Sequence, residues 1–380
     1  MRTFNFSHRI IIIVVSVLFL VNSAYAQTPL TSPAHIGLVY PLSSNGKNAA
    51  AYTNHFSLHI IAGLSKAETG AAIAGISNIV KENSTGVLIA GFSNHVGYTV
   101  RSGQFAGFMN QVKHDANGVQ VAGFLNIAES MKGVQAAGFA NLVSKDADGT
   151  QVAGFINKAR NNAQPQVAGF TNITNKGTVQ VAGFFNKADE VHTQVAGFIN
   201  IAKKVKGVQV AGFINIADSS ECPIGLINIV KGGEKQVSVS IDETTTLIGA
   251  FKSGGRILYG ILGVGYNLKN TVHPMYALQG GIGAHLPLLS HFRLNVEGTN
   301  TFMTTFKGDG EYNRQTLGIY PAYRFGSRVE VFAGPTFNYV SSRHGLGEDL
   351  VSHYIWSEHV SDNRFRGGYI GAAGGVQVRL

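Results

Sequence analysis

From about residue 58 to 230 the chain repeats a short pattern of apolar and polar positions. Clear copies are Gly118-Val-Gln-Val-Ala-Gly-Phe-Leu-Asn-Ile-Ala128 and Gly207-Val-Gln-Val-Ala-Gly-Phe-Ile-Asn-Ile-Ala217. Twelve copies are centred on glycines, from Gly63 to Gly225, with a mean period of about 15 residues. Eleven carry Asn three residues after the glycine and eight carry Gln three residues before it. Neighbouring residues of a strand face opposite sides. Taken as one strand, Val208, Val210, Gly212, Ile214 and Ile216 form an apolar face. Gln209, Ala211, Phe213, Asn215 and Ala217 form the other. Period two and a β-branched composition predict a strand of about ten residues per copy. The short polar linkers, such as Lys203–Lys206, predict turns.

After about Lys235 the repeat stops and a sharper alternation begins. Phe292, Leu294 and Val296 oppose Arg293, Asn295 and Glu297; Val329, Val331 and Phe337 oppose Arg328, Glu330 and Asn338. Further strands are predicted over Arg256–Leu268, Tyr276–Leu286, Thr316–Phe325 and the final Tyr369–Leu380, and a short one at Ile36–Leu42. Connections alternate in length. Gly326-Ser327 is a tight turn and Ser341–Arg364 a long polar loop, which places these two at opposite ends and the C-terminus with Gly326-Ser327.

The pattern predicts an all-β chain and leaves two architectures open. The leading one is a large antiparallel transmembrane β-barrel of about 18–20 strands, built largely from 15-residue one-strand repeats (58–230) and continued by 231–380. The alternative is a repeat β-solenoid plus a small C-terminal barrel. An unbroken ten-residue strand leaves too few residues to return across some 30 Å, so a solenoid requires a break at the glycine. The pairing direction of consecutive copies separates the two.

Export follows from the first residues. Arg2 and Arg9 precede an apolar run, Ile10 to Val21, too short to span a bilayer as a helix, and Asn22–Ala26 ends in a small-x-small pattern. A signal peptide over 1–26 is expected, cut between Ala26 and Gln27, with 27–57 as an N-terminal segment. Charged residues are only 13% and glycine is 47 of 380, which suits sheets with one face in lipid. The net charge of +9 comes from scattered lysines, without the basic and aromatic stripe of a nucleic-acid binder. A lone Cys222 makes neither an internal disulfide nor a cysteine metal cluster.

The repeat resembles a family of bacterial surface-repeat proteins built on G-[VL]-Q-[VI]-[AG]-x-x-x-N, and Phe332-Ala-Gly-Pro-Thr-Phe-Asn-Tyr339 resembles an outer-membrane barrel region. The resemblance implies an outer-membrane or surface location and no known reaction. The closing Val376-Gln-Val-Arg-Leu380 is similar to the terminal signal of barrel-assembly machinery, with Leu380 where an aromatic is usual. Expected partners are outer-membrane lipid, that machinery and a surface ligand.

The candidate site is a polar ladder: Gln120, Gln135, Gln151, Gln180 and Gln209, with Asn126, Asn141, Asn157, Asn186 and Asn215. It is read either as amides that fix strand register or as the polar wall of a pore. The recurrent Phe124, Phe155 and Phe213 fit a pore wall badly. His344, Glu348, Asp349, His353, Glu358, His359 and Asp362 place metal-ligating types in one loop, whose simpler reading is a solvated surface loop. Gly260–Gly265 and Gly280–Gly283 lack the strand-turn-helix context of a phosphate loop. No catalytic residue and no cofactor are expected. The leading function is an outer-membrane barrel with a passive pore or structural role, the alternative a surface repeat module for adhesion or ligand binding.

Overall fold

The computed structural model describes residues 30–255, 257–269, 274–307, 311–361 and 363–380. The expected signal peptide and its Ala26–Gln27 boundary lie outside the described residues. The chain is all-β and has two parts. A parallel β-solenoid runs from Thr31 to Val230, and a closed eight-stranded antiparallel barrel runs from Lys235 to Arg379.

This is the second of the two architectures, and the single 18–20-strand barrel is corrected. Consecutive copies pair in parallel, not antiparallel: Gln120 faces Gln135 and Asn126 faces Asn141 on the next turn. The one-strand repeat is corrected with it. In a representative turn Asp115–Ala122 is one strand, Gly123-Phe124 is a bend, and Leu125–Ala128 is a second strand. The bend lets a coil of about 15 residues close on itself.

The glycine at that bend has a steric cause. A Cβ on Gly123 would lie 2.1 Å from the carbonyl oxygen of Gly107, and one on Gly138 would lie 2.1 Å from that of Gly123. From Gly91 to Gly212 each turn therefore sits on the glycine of the turn before, an approach no other residue permits.

The bend also resets which side each residue faces. Gln120, Ala122, Asn126 and Ala128 point inward, while Val121 and Phe124 point outward. The solenoid interior thus combines amides with an apolar core of alanines, valines, Leu88 and Met131, while further large apolar side chains, the Phe row among them, lie outside. The first turn is capped: Thr31–Val39 pairs with Thr53–Ser65 on one side and with the short strand Leu42–Ser43 on the other.

The barrel strands are Lys235–Asp242, Thr246–Gly254, Leu258–Asn267, Tyr276–Pro287, Phe292–Thr304, Glu311–Phe325, Val329–Arg343 and Arg364–Arg379. Each pairs antiparallel with the next, and the first closes on the last through Val237 opposite Val378. The strands expected in this region form, with ends shifted by a few residues. Arg256 itself is outside the described residues. Gly326-Ser327 and Leu380 share one end, and the long loop lies at the other, where Trp356–Ser361 adds a short strand against Arg364–Arg379.

The barrel alternates with apolar residues outward. Val237, Val239, Leu278, Val331 and Phe337 are exposed on its wall, while Arg293, Glu297, Arg314 and Glu330 are buried inside. Aromatic side chains cluster near both rims. Phe292, Tyr323 and Phe325 touch at the tight-turn end; Tyr266, Tyr276 and Phe306 touch at the other.

Candidate functional site

The amides singled out from the sequence come together as two continuous buried ladders. Gln135 donates to Gln120 at 2.6 Å, Gln151 to Gln135 at 2.9 Å, and Gln209 to Gln194 at 3.0 Å. Gln120 donates to Gln104, Gln166 to Gln151, Gln180 to Gln166 and Gln194 to Gln180, which completes the series. On the facing side, Asn126 donates to Asn141, Asn141 to Asn157 and Asn186 to Asn200, at 2.9–3.0 Å. Each Asn also braces the next turn. Asn126 Nδ2 reaches the Ala136 carbonyl at 2.8 Å and Asn157 Nδ2 that of Val167 at 2.7 Å. The Gln donors point toward the N-terminus and the Asn donors toward the C-terminus, so the amide dipoles of the two ladders oppose one another.

Only the ends of the Gln series lack partners. Gln104 Nε2, facing the Leu88 rung, and Gln209 Oε1, facing Pro223, have no hydrogen bond. The Asn series ends differently. Asn215 donates to Asn228, whose side-chain Nδ2 donates to the Ser253 carbonyl at 3.1 Å and whose backbone N–H donates to Ser253 Oγ at 2.9 Å. Ser253 belongs to the barrel strand Thr246–Gly254, so the ladder continues into the barrel wall.

The barrel lumen is filled. Lys252 pairs with Glu297 at 2.5 Å, and Tyr259 donates to the same oxygen at 2.7 Å. Arg293 bridges Glu234 at 2.9 Å and Glu330 at 2.7 Å. Arg314 pairs with Asp242 and lies 3.5 Å from Glu243, which accepts from Tyr369 at 2.8 Å. Buried charges in such sites are paired because desolvation of a lone ion is prohibitive. Between Lys252–Glu297 and Arg314–Asp242 the space left is about 40 Å³, room for about one or two waters, and a wider recess of about 380 Å³ opens beside Glu234 and Arg293 at the tight-turn end.

The long loop is not wholly solvated. Leu346 and Leu350 pack with Met275, Met303, Tyr312 and Tyr369 across the barrel mouth. His359 lies 3.4 Å from Glu348, while His353 meets Ser352. Among the described residues no group of three or more His, Cys, Asp or Glu stands close enough to hold a metal ion. Asp362 is outside the described residues. Cys222 is a free, half-buried thiol in the last full turn.

Comparison with known proteins adds little. No family model and no curated protein matches the chain. A solved structure described as "De novo design of transmembrane beta-barrels" is similar at 13% identity over 39% of this chain and 94% of that one, with a TM-score of 0.24. The barrel assignment rests instead on the closed strand register itself.

Two features escaped sequence reasoning. One is a polar cluster in the N-terminal cap. His35 bonds Ser43 at 2.9 Å and Asn54 at 3.2 Å, and Glu68 accepts from Ser57 at 2.8 Å and Asn54 at 3.1 Å. Burial holds His59 down at about 4, with the neighbouring His35 as the lesser cause, and burial raises the Glu68 carboxyl. His35, Asn54, His59 and Glu68 are dispersed over about 34 residues, so only the coil brings them together. The other is the phenylalanine stack. Nine rings from Phe92 to Phe213 stack at the outer corner with centroids 4.7–5.1 Å apart. Its signal was present, a Phe directly after nine of the twelve central glycines, but its direction depends on the bend.

Proposed function

We propose that this chain is an outer-membrane protein whose barrel anchors it in the bilayer and whose solenoid is a rigid structural module, with no catalytic role. The observation that carries the reading is the inverted barrel: apolar wall outward, aromatic rims at both ends, paired charges inside. A bilayer core satisfies that wall and water does not. The filled lumen favours a structural role over a passive pore, since eight strands enclose space that side chains occupy. The alternative, an adhesion or ligand-binding role for the solenoid, draws on its long regular surface.

The test is extraction and conductance of the mature chain. It should sediment with outer-membrane vesicles, resist carbonate washing, enter solution only with detergent and give no stepwise current in planar bilayers. A freely soluble detergent-free monomer would overturn the anchor. A stable ionic current would restore the pore.

A further inference from the structure

We propose that the solenoid itself lies on the membrane, with its phenylalanine corner and the adjoining valine face buried among lipid acyl chains. This rests on the barrel reading above and goes beyond it, because an anchored solenoid could equally stand free in water.

The turn has three outer sides of different chemistry. One carries the position two before each glycine, including Ile89, Val121, Val152, Val167 and Val210, and none of its residues from Ile73 to Val210 is charged. The corner next to it is the Phe stack, of which Phe92 is 49% and Phe124 38% exposed. Aromatic side chains present about 150–250 Å² each. Nine of them at this exposure leave on the order of 700 Å² of ring open, before the valines are added. That exceeds the few hundred Å² of contiguous apolar surface a soluble monomer shows. The opposite side is polar, with Lys145–Glu129 and Lys203–Asp189 ion pairs.

Two further observations select lipid as the occupant. The first is continuity with the barrel wall. In the last turn Leu226 takes the place of the stacked Phe, and it lies in a groove of about 990 Å³ on the outside of the barrel with Ile282, Leu317, Phe337 and Ile370. Gly260 makes room for this contact, since a Cβ there would fall 2.0 Å from the Gly225 carbonyl oxygen. The Phe corner therefore runs directly into the surface that faces hydrocarbon. The second is charge at the border. Where the apolar side chains Ile127 and Leu142 give way to the polar side, Lys113, Lys158 and Arg160 line one groove, with Glu129 as the one acid among its lining residues. An apolar face fringed by cations is the pattern of an interfacial element, with the fringe at the level of anionic headgroups.

The experiment uses the full mature chain in vesicles of phosphatidylcholine and phosphatidylglycerol with brominated acyl chains. Single tryptophans are placed in a Trp356→Phe background at Phe124→Trp, Phe155→Trp, Lys132→Trp and, as a barrel control, Phe337→Trp. Tryptophans at 124, 155 and 337 should lose at least half their fluorescence to bromine, while that at 132 is quenched by aqueous acrylamide instead. Carbene labelling of the unsubstituted chain with a lipid-borne diazirine should mark Val119–Ile127 independently. Quenching at 337 without quenching at 124 and 155 overturns this inference and leaves the barrel anchor standing. Loss of quenching at 337 as well overturns both. Tryptophans at 124 and 155 shielded from bromine and acrylamide alike would mean a protein contact, and would also overturn it.

Discussion

A buried amide in this molecule is only as stable as the rungs on either side of it. Gln135 donates to Gln120 and accepts from Gln151. Gln135→Leu removes both bonds and leaves one acceptor and one donor unsatisfied in a dry interior. At about 1–3 kcal/mol for each stranded group, the local cost is about 2–6 kcal/mol. Gln209 sits at the end of the series with Oε1 already unpartnered, so Gln209→Leu strands only the Gln194 oxygen. Hydrogen exchange of the backbone amides around each substitution should show the larger loss of protection at position 135. Equal losses would mean that the ladder contributes shape and not bonding. The N-terminal cap supplies a pH-dependent counterpart. His59 is depressed to about 4 from 6.5, so its neutral form supports the fold above 6.5 and that support is lost as pH falls from 6.5 to about 4. Glu68 is raised and acts with the opposite sign, losing its contribution as pH rises through its folded value. In a Glu68→Gln background, protection factors over Thr53–Ser65, corrected for the intrinsic pH dependence of amide exchange, should fall between pH 6.5 and 4 while those of the central turns hold. Protection factors that stay constant across that window would refute the assignment.

At the level of the strand, the sequence carries the composition and period of every element but not its parity. Val208 to Ala217 alternates without a break, and an unbroken strand puts Phe213 on one face with Gln209 and Asn215. The structure bends at Gly212-Phe213, and the phenylalanine leaves the amides and turns outward. The glycine marked the place, and the need for a short return path stated the condition, but closure depends on contacts between turns that no single copy contains. The barrel strands were legible because their alternation is uninterrupted. Their charge partners were not: Lys252 and Glu297 are 45 residues apart in sequence. That pair gives a test at this scale. Lys252→Met leaves Glu297 buried with Tyr259 as its remaining hydrogen-bond donor, and should destabilise the barrel by about 3–5 kcal/mol. Lys252→Met with Glu297→Leu should recover much of that loss. The temperature at which the folded band disappears on semi-native gels reads both. A double variant no more stable than the single one would show that the charge pair is not the source of the effect.

Across the whole molecule one arrangement recurs: polar groups are satisfied internally and apolar side chains are presented outward. The solenoid does it with amide ladders, the barrel with ion pairs, and Asn228 joins the two through Ser253. The measurement that tests this most directly is spin-label accessibility along Val329–Arg343 in reconstituted protein, with cysteines placed one at a time in a Cys222→Ser background. Labels at 331, 333, 335 and 337 should collide freely with oxygen and poorly with a water-soluble nickel chelate, while those at 330, 332, 336 and 338 are shielded from both. If the outward positions prove open to the nickel chelate and poor in oxygen, the wall faces water and the account fails.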